Sequence, residues 1–233
     1  MPAIRLSGAR ALMEELISPG DVALTGEAFN AVATVGATVL SATSLTSGSI
    51  YRSGSTGAYT DTFDTAVNML AALAGNSPAG PVVPGHSFRC RLYNSVAFAE
   101  TITLGAGMVA GNGTVASVAA STWRDFLFTV ACVQPSFQLP ATVTNGSAVV
   151  LFTLPPGLTA YQMGPAPTAI DLMPGASVSG TGIPANTTVL GITQGQGGII
   201  GLTMSANATA TGTNVALTFG PTIKVDSLGS GTL

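Results

Sequence analysis

Residues 174–219 read PGASVSGTGIPANTTVLGITQGQGGIIGLTMSANATATGTNVALTF. Short runs of Val, Leu, Ile and Thr stand between turn signals at Pro174-Gly175, Ile183-Pro184, Gly197-Gly198 and Gly212. Turns spaced about 8–12 residues apart predict many short strands in a sandwich or barrel. The stretch contains no charged side chain, and it sits in a longer region of the same kind. From Leu127 to Ile223 the only ionisable carboxylate or base is Asp171, and further turn signals fall at Asn145-Gly146 and Pro155-Pro156-Gly157.

The rest of the chain is nearly as poor in charge. Charged residues make up 7% of 233, whereas about 25% is usual for soluble proteins. The surface must therefore be covered by Ser, Thr, Asn, Gln, Gly and small apolar groups. A hydrophobic content of 46% supports real cores and argues against disorder. Seven basic residues against ten acidic give a net charge of −3 and no basic stripe for phosphates, so no nucleic-acid partner is expected. The mean hydropathy of +0.51 comes from Ala and Val scattered among Thr and Gly. No run of about 18 apolar residues follows, so no membrane partner is expected. Glu14 and Glu15 interrupt any apolar export segment near the start. Cys90 and Cys132 fit neither metal spacing nor a disulfide framework and read as reduced, small hydrophobes in strands.

Along the chain, residues 1–20 form a helical anchor segment. Ala9, Leu12, Met13, Leu16 and Ile17 make one apolar stripe, with Ser7 as N-cap and Pro19-Gly20 as the stop. Three turns are marginal alone in water, so the stripe must pack on its own domain or on a neighbouring subunit. Residues 21–133 form a first β-sandwich domain, with strands expected at 31–40, 49–52, 87–93, 101–104, 115–119 and 125–133. In 87–93, Phe88, Cys90 and Leu92 point one way and Arg89, Arg91 and Tyr93 the other. One further short helix lies in TDTFDTAVNMLAALAG, with Asp61 and Asp64 at its start, Ala66, Met69, Leu70 and Leu73 on its apolar face, and Gly75 closing it. Residues 134–140 read as a linker, 141–222 as a second β-rich domain and 223–233 as a flexible tail. The expected fold class is all-β, with β-sandwich or jelly-roll-like domains and these two short helices.

The chemistry of catalysis is sparse. The single histidine, His86, stands in Gly85-His86-Ser87-Phe88-Arg89, where Arg89 replaces the glycine that a nucleophile elbow requires and a strand follows in place of a helix. His86 reads as the residue before a strand. Gly105, Gly107 and Ala110 match G-x-G-x-x-A, but turn-rich sequence follows where a helix would have to hold a pyrophosphate, and a hairpin is expected. Asp61 and Asp64 suit a helix start by dipole alone. Sequons at Asn112, Asn145, Asn186 and Asn207 follow from a Thr-rich composition. Trp123 is expected to cover a core edge. No enzyme, cofactor or metal site is expected.

Two stretches carry a resemblance. GSIYRSGSTGAYTDTFDTAVNMLAAL (48–73), followed by PGHSFRCRLYNS and STWRDFLFTV, resembles the β-domain of structural proteins of tailed-bacteriophage virions. Residues 174–219 are similar to a β-module of phage head and tail appendages. The resemblance implies a non-enzymatic virion protein, made in the host cytoplasm and placed on the capsid surface as a homotrimeric decoration or cement protein or head fibre. Its partners would be further copies of itself and the major capsid protein. A surface poor in charge suits burial between subunits, and an almost chargeless β half would present pairable strand edges. Leu12, Met13, Leu16 and Ile17 on the helix, with Arg52, Arg89, Arg91 and Arg124 in the first domain, are the expected capsid or subunit contacts. The alternative is a tail fibre or a receptor- or glycan-binding appendage, with Trp123, Tyr51, Tyr59 and Tyr161 lining a sugar site. A depolymerase spike would need an acid pair in a groove and a longer repetitive β-helix.

Overall fold

The computed structural model describes residues 30–76, 81–111, 115, 117–155, 172–195 and 198–233. The expected N-terminal helix, with Leu12, Met13, Leu16 and Ile17, lies outside them, as do Asn112, Tyr161 and Asp171. The described chain is mostly β-strand. Its elements are β1 (Asn30–Val32), β2 (Val39–Leu40), α1 (Ala42–Thr46), β3 (Ser49–Arg52), β4 (Tyr59–Phe63), α2 (Ala66–Asn76), β5 (Ser87–Asn94), β6 (Glu100–Thr103), β7 (Met108–Ala110), β8 (Thr122–Cys132), β9 (Phe137–Val143), β10 (Val149–Phe152), β11 (Ser177–Ser179), β12 (Val189–Gly195), β13 (Gly198–Met204), β14 (Gly212–Gly220) and β15 (Thr222–Thr232).

In the first unit the chain alternates between two sheets. β1, β3 and β5 lie side by side and parallel in one sheet, while β2, β4 and β6 do the same in the other. Each winding adds one strand to each sheet, because parallel neighbours need a crossover and here the crossover passes through the opposite sheet. The larger sheet continues with β8, β15 and β7. One apolar cluster joins the layers: Ile50, Leu92, Phe126, Phe128, Ile223 and Val225 from the larger sheet, Leu40, Phe63 and Ile102 from the smaller, and Met69 from α2. Phe63 meets Phe126 edge-on at 5.1 Å, and Phe88 stacks on Phe128 at 4.9 Å.

This pairing differs from that of an antiparallel jelly roll. Alternating side chains reveal that a segment is extended, but parallel and antiparallel neighbours share the period of two. Other expectations also shift. Residues 31–40 divide into β1 and β2, and the described residues of 115–119 contribute an isolated bridge from Val118 to Glu100. The segment read as one helix opens as β4, so Asp61 lies in a strand and only Asp64 precedes the helix. The hairpin expected after Ala110 falls largely on residues outside those described; β7 and β8, which flank it, share a sheet but are separated there by β15. The linker at 134–140 largely becomes β9.

The tail is the largest departure. Thr222–Thr232 forms β15, paired with β8 from Thr222↔Cys132 to Thr232↔Thr122. Ile223 and Val225 enter the first core, which fixes one end of the strand. At the other end Gly231 lies against Trp123, where a Cβ would stand 2.7 Å from the ring. Residues 134–221 are thus inserted between two neighbouring strands of the first unit.

The insertion is an antiparallel sheet ordered β11-β14-β9-β10-β13-β12. Its two ends meet. Val178 donates to the Thr187 carbonyl at 2.9 Å, Val189 to Ala176 at 2.8 Å, and Ser177 bridges Thr188. The ring closes there, with Ala141, Val143, Val150, Phe152, Leu202 and Phe219 among the residues inside. Register shifts within the β12–β13 and β14–β9 pairs supply the local twist that closure demands. Closure joins the two end strands at residues 176–178 and 187–189, while β12 beyond Val189 pairs with β13 alone.

Candidate functional site

Ionisable side chains converge at one end of the first core. The inward alternation of β4 places Tyr59, Asp61 and Phe63 on the buried face, and that of β6 places Glu100 and Ile102 there. Opposite them, Arg52 on β3 pairs in register with Asn94 on β5. Arg52, Asp61, Glu100 and Asn94 are all 0% exposed. A polar layer therefore caps the apolar layer of Ile50, Leu92, Phe63 and Ile102.

Every guanidinium nitrogen of Arg52 is engaged. Nε donates to Asp61 Oδ2 at 2.6 Å, one terminal nitrogen to the carbonyls of Val32, Thr34 and Ser53, and the other to Gly36 O and Asp61 Oδ1. The side chain thus ties the connection between β1 and β2 to β4. It also lies 4.6 Å from the Tyr59 ring centroid, within cation–π range. Asp61 accepts a further bond from the Thr38 amide. The Tyr59 hydroxyl stands 3.0 Å from Asn94 Oδ1 and 3.2 Å from Glu100 Oε2, while Asn94 Nδ2 binds the carbonyls of Phe98, Val118 and Ala119.

Glu100 completes the layer. Burial first, and then the neighbouring Asp61 carboxylate, push its carboxyl up to about 8. Burial and Glu100 likewise raise the Tyr59 phenol. Two carboxyl groups and one guanidinium enclosed at 0% exposure can store a proton, but no substrate can touch them. Asp64 has a different task. Its carboxylate accepts from the amides of Ala42 and Thr65 and from the Asn68 side chain, joining the starts of α1 and α2. Burial opposes its charge, yet these hydrogen bonds outweigh burial and hold the carboxyl below its ordinary range. Asp61 and Asp64 therefore bind different groups.

The outer face of the larger sheet carries a second arrangement. Ala31, Tyr51, Tyr93, Trp123 and Gly231 form one row across five strands by successive register. Ala31, Tyr51, Tyr93 and Leu233 line an open concavity of about 360 Å³. Beside this row, Arg91 holds Asp125 through two bonds of 2.7 and 2.9 Å and lies 4.0 Å from the Trp123 ring centroid. Trp123 is therefore engaged by Gly231 and Arg91. Of the aromatic residues considered for a sugar site, Tyr51 and Trp123 share this face, whereas Tyr59 is in the core.

The four expected arginine contacts separate in the same way. Arg52 is interior, bound to Asp61 and to backbone carbonyls. Arg89 has a 62% exposed side chain, 4.0 Å from Asp125. Arg91 is committed to Asp125, and Arg124 donates to Ser227. His86 immediately precedes β5, its carbonyl bound by the Val130 amide. Cys90 and Cys132 are free and buried, and burial pushes the Cys90 thiol up to about 12.

Glu100, Asn94 and the burial of Asp61 and Arg52 escaped the sequence reading. The signal was present in YTDTF, where Asp61 is in phase with Tyr59 and Phe63, and in ETITL, where Glu100 is in phase with Ile102 and Leu104. An acid in step with apolar neighbours lies on the core face. Among the described residues, no group of three or more His, Cys, Asp or Glu could hold a metal ion, and no helix is long and apolar enough to cross a membrane. No protein family, curated protein or solved structure matches this chain.

Proposed function

We propose that the protein is a non-enzymatic structural component of a tailed-phage virion, a decoration or cement protein or head fibre that binds and stabilises the capsid shell. The observation that carries this reading is the way the barrel is mounted. The chain enters it from β8 and leaves through β15, and those ends are paired at Thr222↔Cys132. Such a module projects from one point of its carrier. No described residue from 134 to 221 is charged, so this module has no charge to desolvate when packed against another subunit. The resemblance of 48–73 and 174–219 to phage virion β-modules supports the same assignment.

In this reading the first unit faces the shell, with Arg89 as an exposed cation, and the barrel points outward. Self-association into a trimer draws on the outer face of the barrel, where Val149 and Leu151 on β10 are 50% and 52% exposed. Particles lacking this gene, imaged by negative stain, are expected to lose projections from the head. Loss of tail fibres would shift the assignment to a tail appendage, and an unchanged particle would overturn it.

A further inference from the structure

The polar layer contains an imbalance that hydrogen bonding alone does not resolve. Two acids, Asp61 and Glu100, share a sealed space with one cation, Arg52, whose donors are all occupied by Asp61 and backbone carbonyls. Among the described residues no other cation contacts either acid. The titratable or charged groups facing the pair are Arg52 from β3 and Tyr59 from β4, and β5 contributes the neutral Asn94. Glu100 Oε1 is fully buried without a hydrogen-bond acceptor or donor while the residue is a carboxylate. A proton on this oxygen would turn it into a donor facing Asp61, satisfying the orphan atom and making the layer neutral.

We propose that Asp61 and Glu100 hold one proton between them, and that this proton latches the β2–β4–β6 sheet onto the Arg52 layer. Losing it would leave a second buried negative charge between β4 and β6 with no cation free to meet it. The strands there are short, and β2 pairs only through Val39 and Leu40. The latch therefore opens on the alkaline side. The folded carboxyl keeps its proton to about pH 8, whereas an unfolded glutamate loses it near its ordinary value of about 4.3. Between these values the folded state binds more protons, so its stability falls as pH rises and levels off above the upper value.

The single tryptophan, Trp123, lies in β8 and reports the first unit alone. Urea unfolding of the full chain followed by Trp123 fluorescence should show the unfolding constant rising by up to tenfold per pH unit across the window from about 5 to 8. Glu100→Gln places an amide donor where the protonated oxygen stands, and it should flatten that dependence. A flat wild-type profile, or a Glu100→Gln profile as steep as wild type, overturns the proposal. Should Glu100→Gln fail to fold, infrared difference spectra of the wild-type protein decide. A protonated-carboxyl band present near pH 6 and lost near pH 9 supports the shared proton, and its absence near pH 6 refutes it.

Discussion

The first unit buries Arg52, Asp61 and Glu100 completely, while the described part of the barrel contains no charged residue at all. Both cores are otherwise aliphatic and phenylalanine-rich. The difference follows from how each handles its backbone. The barrel is an antiparallel sheet whose ends meet, so strand neighbours meet most of its backbone hydrogen bonds, and uncharged side chains suffice to fill it. The first unit winds through short parallel strands whose connections bring unpaired carbonyls inside. Thr34, Gly36 and Ser53 need donors there, and Arg52 supplies them while adding a second bond to the Val32 carbonyl. The arginine then requires Asp61, and the acid pair requires its proton. Charge enters this core as a consequence of topology.

Arg52→Ala is expected to be the most damaging change, because it leaves the buried Asp61 carboxylate without its cation and the carbonyls of Thr34, Gly36 and Ser53 without the donors that Arg52 supplies. Removing one member of a buried ion pair costs about 3–5 kcal/mol, and urea unfolding followed by Trp123 should register the loss. Leu202→Ala is the corresponding test in the barrel, where the side chain is 0% exposed. A cavity cost of about 3 kcal/mol should appear in barrel amide protection without weakening the Trp123 transition. Asp64→Ala removes the acceptor shared by α1 and α2 and should cost about 1–2 kcal/mol near neutral pH. The carboxyl is held below its ordinary range when folded, so its stabilisation is present at neutral pH and is lost as pH falls through the lowered value. The variant should flatten the acid limb of the stability profile. Arg89→Glu, at an exposed site, should change stability by less than about 0.5 kcal/mol. Under the proposed function it should nevertheless weaken co-sedimentation with particles.

The contrast also explains what the sequence revealed. Alternation in SFRCRLY located β5 and both its faces, and Ala66, Met69 and Leu73 mark the buried side of α2. These features are local. Parallel pairing and the return of β15 depend on residues about 20 to 115 positions apart, which no local period records. The tail DSLGSGTL looked disordered because its side chains are small and polar. It is ordered through backbone pairing with β8, and Gly231 is required because Trp123 occupies the space of a side chain. Asp61 and Glu100 were legible as acids in phase with apolar residues, but their meeting required the two-sheet winding.

The most direct test of these two kinds of core is strand-resolved hydrogen exchange on the full chain, wild type against Arg52→Ala. Protection should fall in β2, β3, β4 and β6 and stay unchanged in β9, β10, β13 and β14. Equal loss in both sets, or undiminished protection throughout, would contradict the claim that buried charge holds the first unit and plays no part in the barrel.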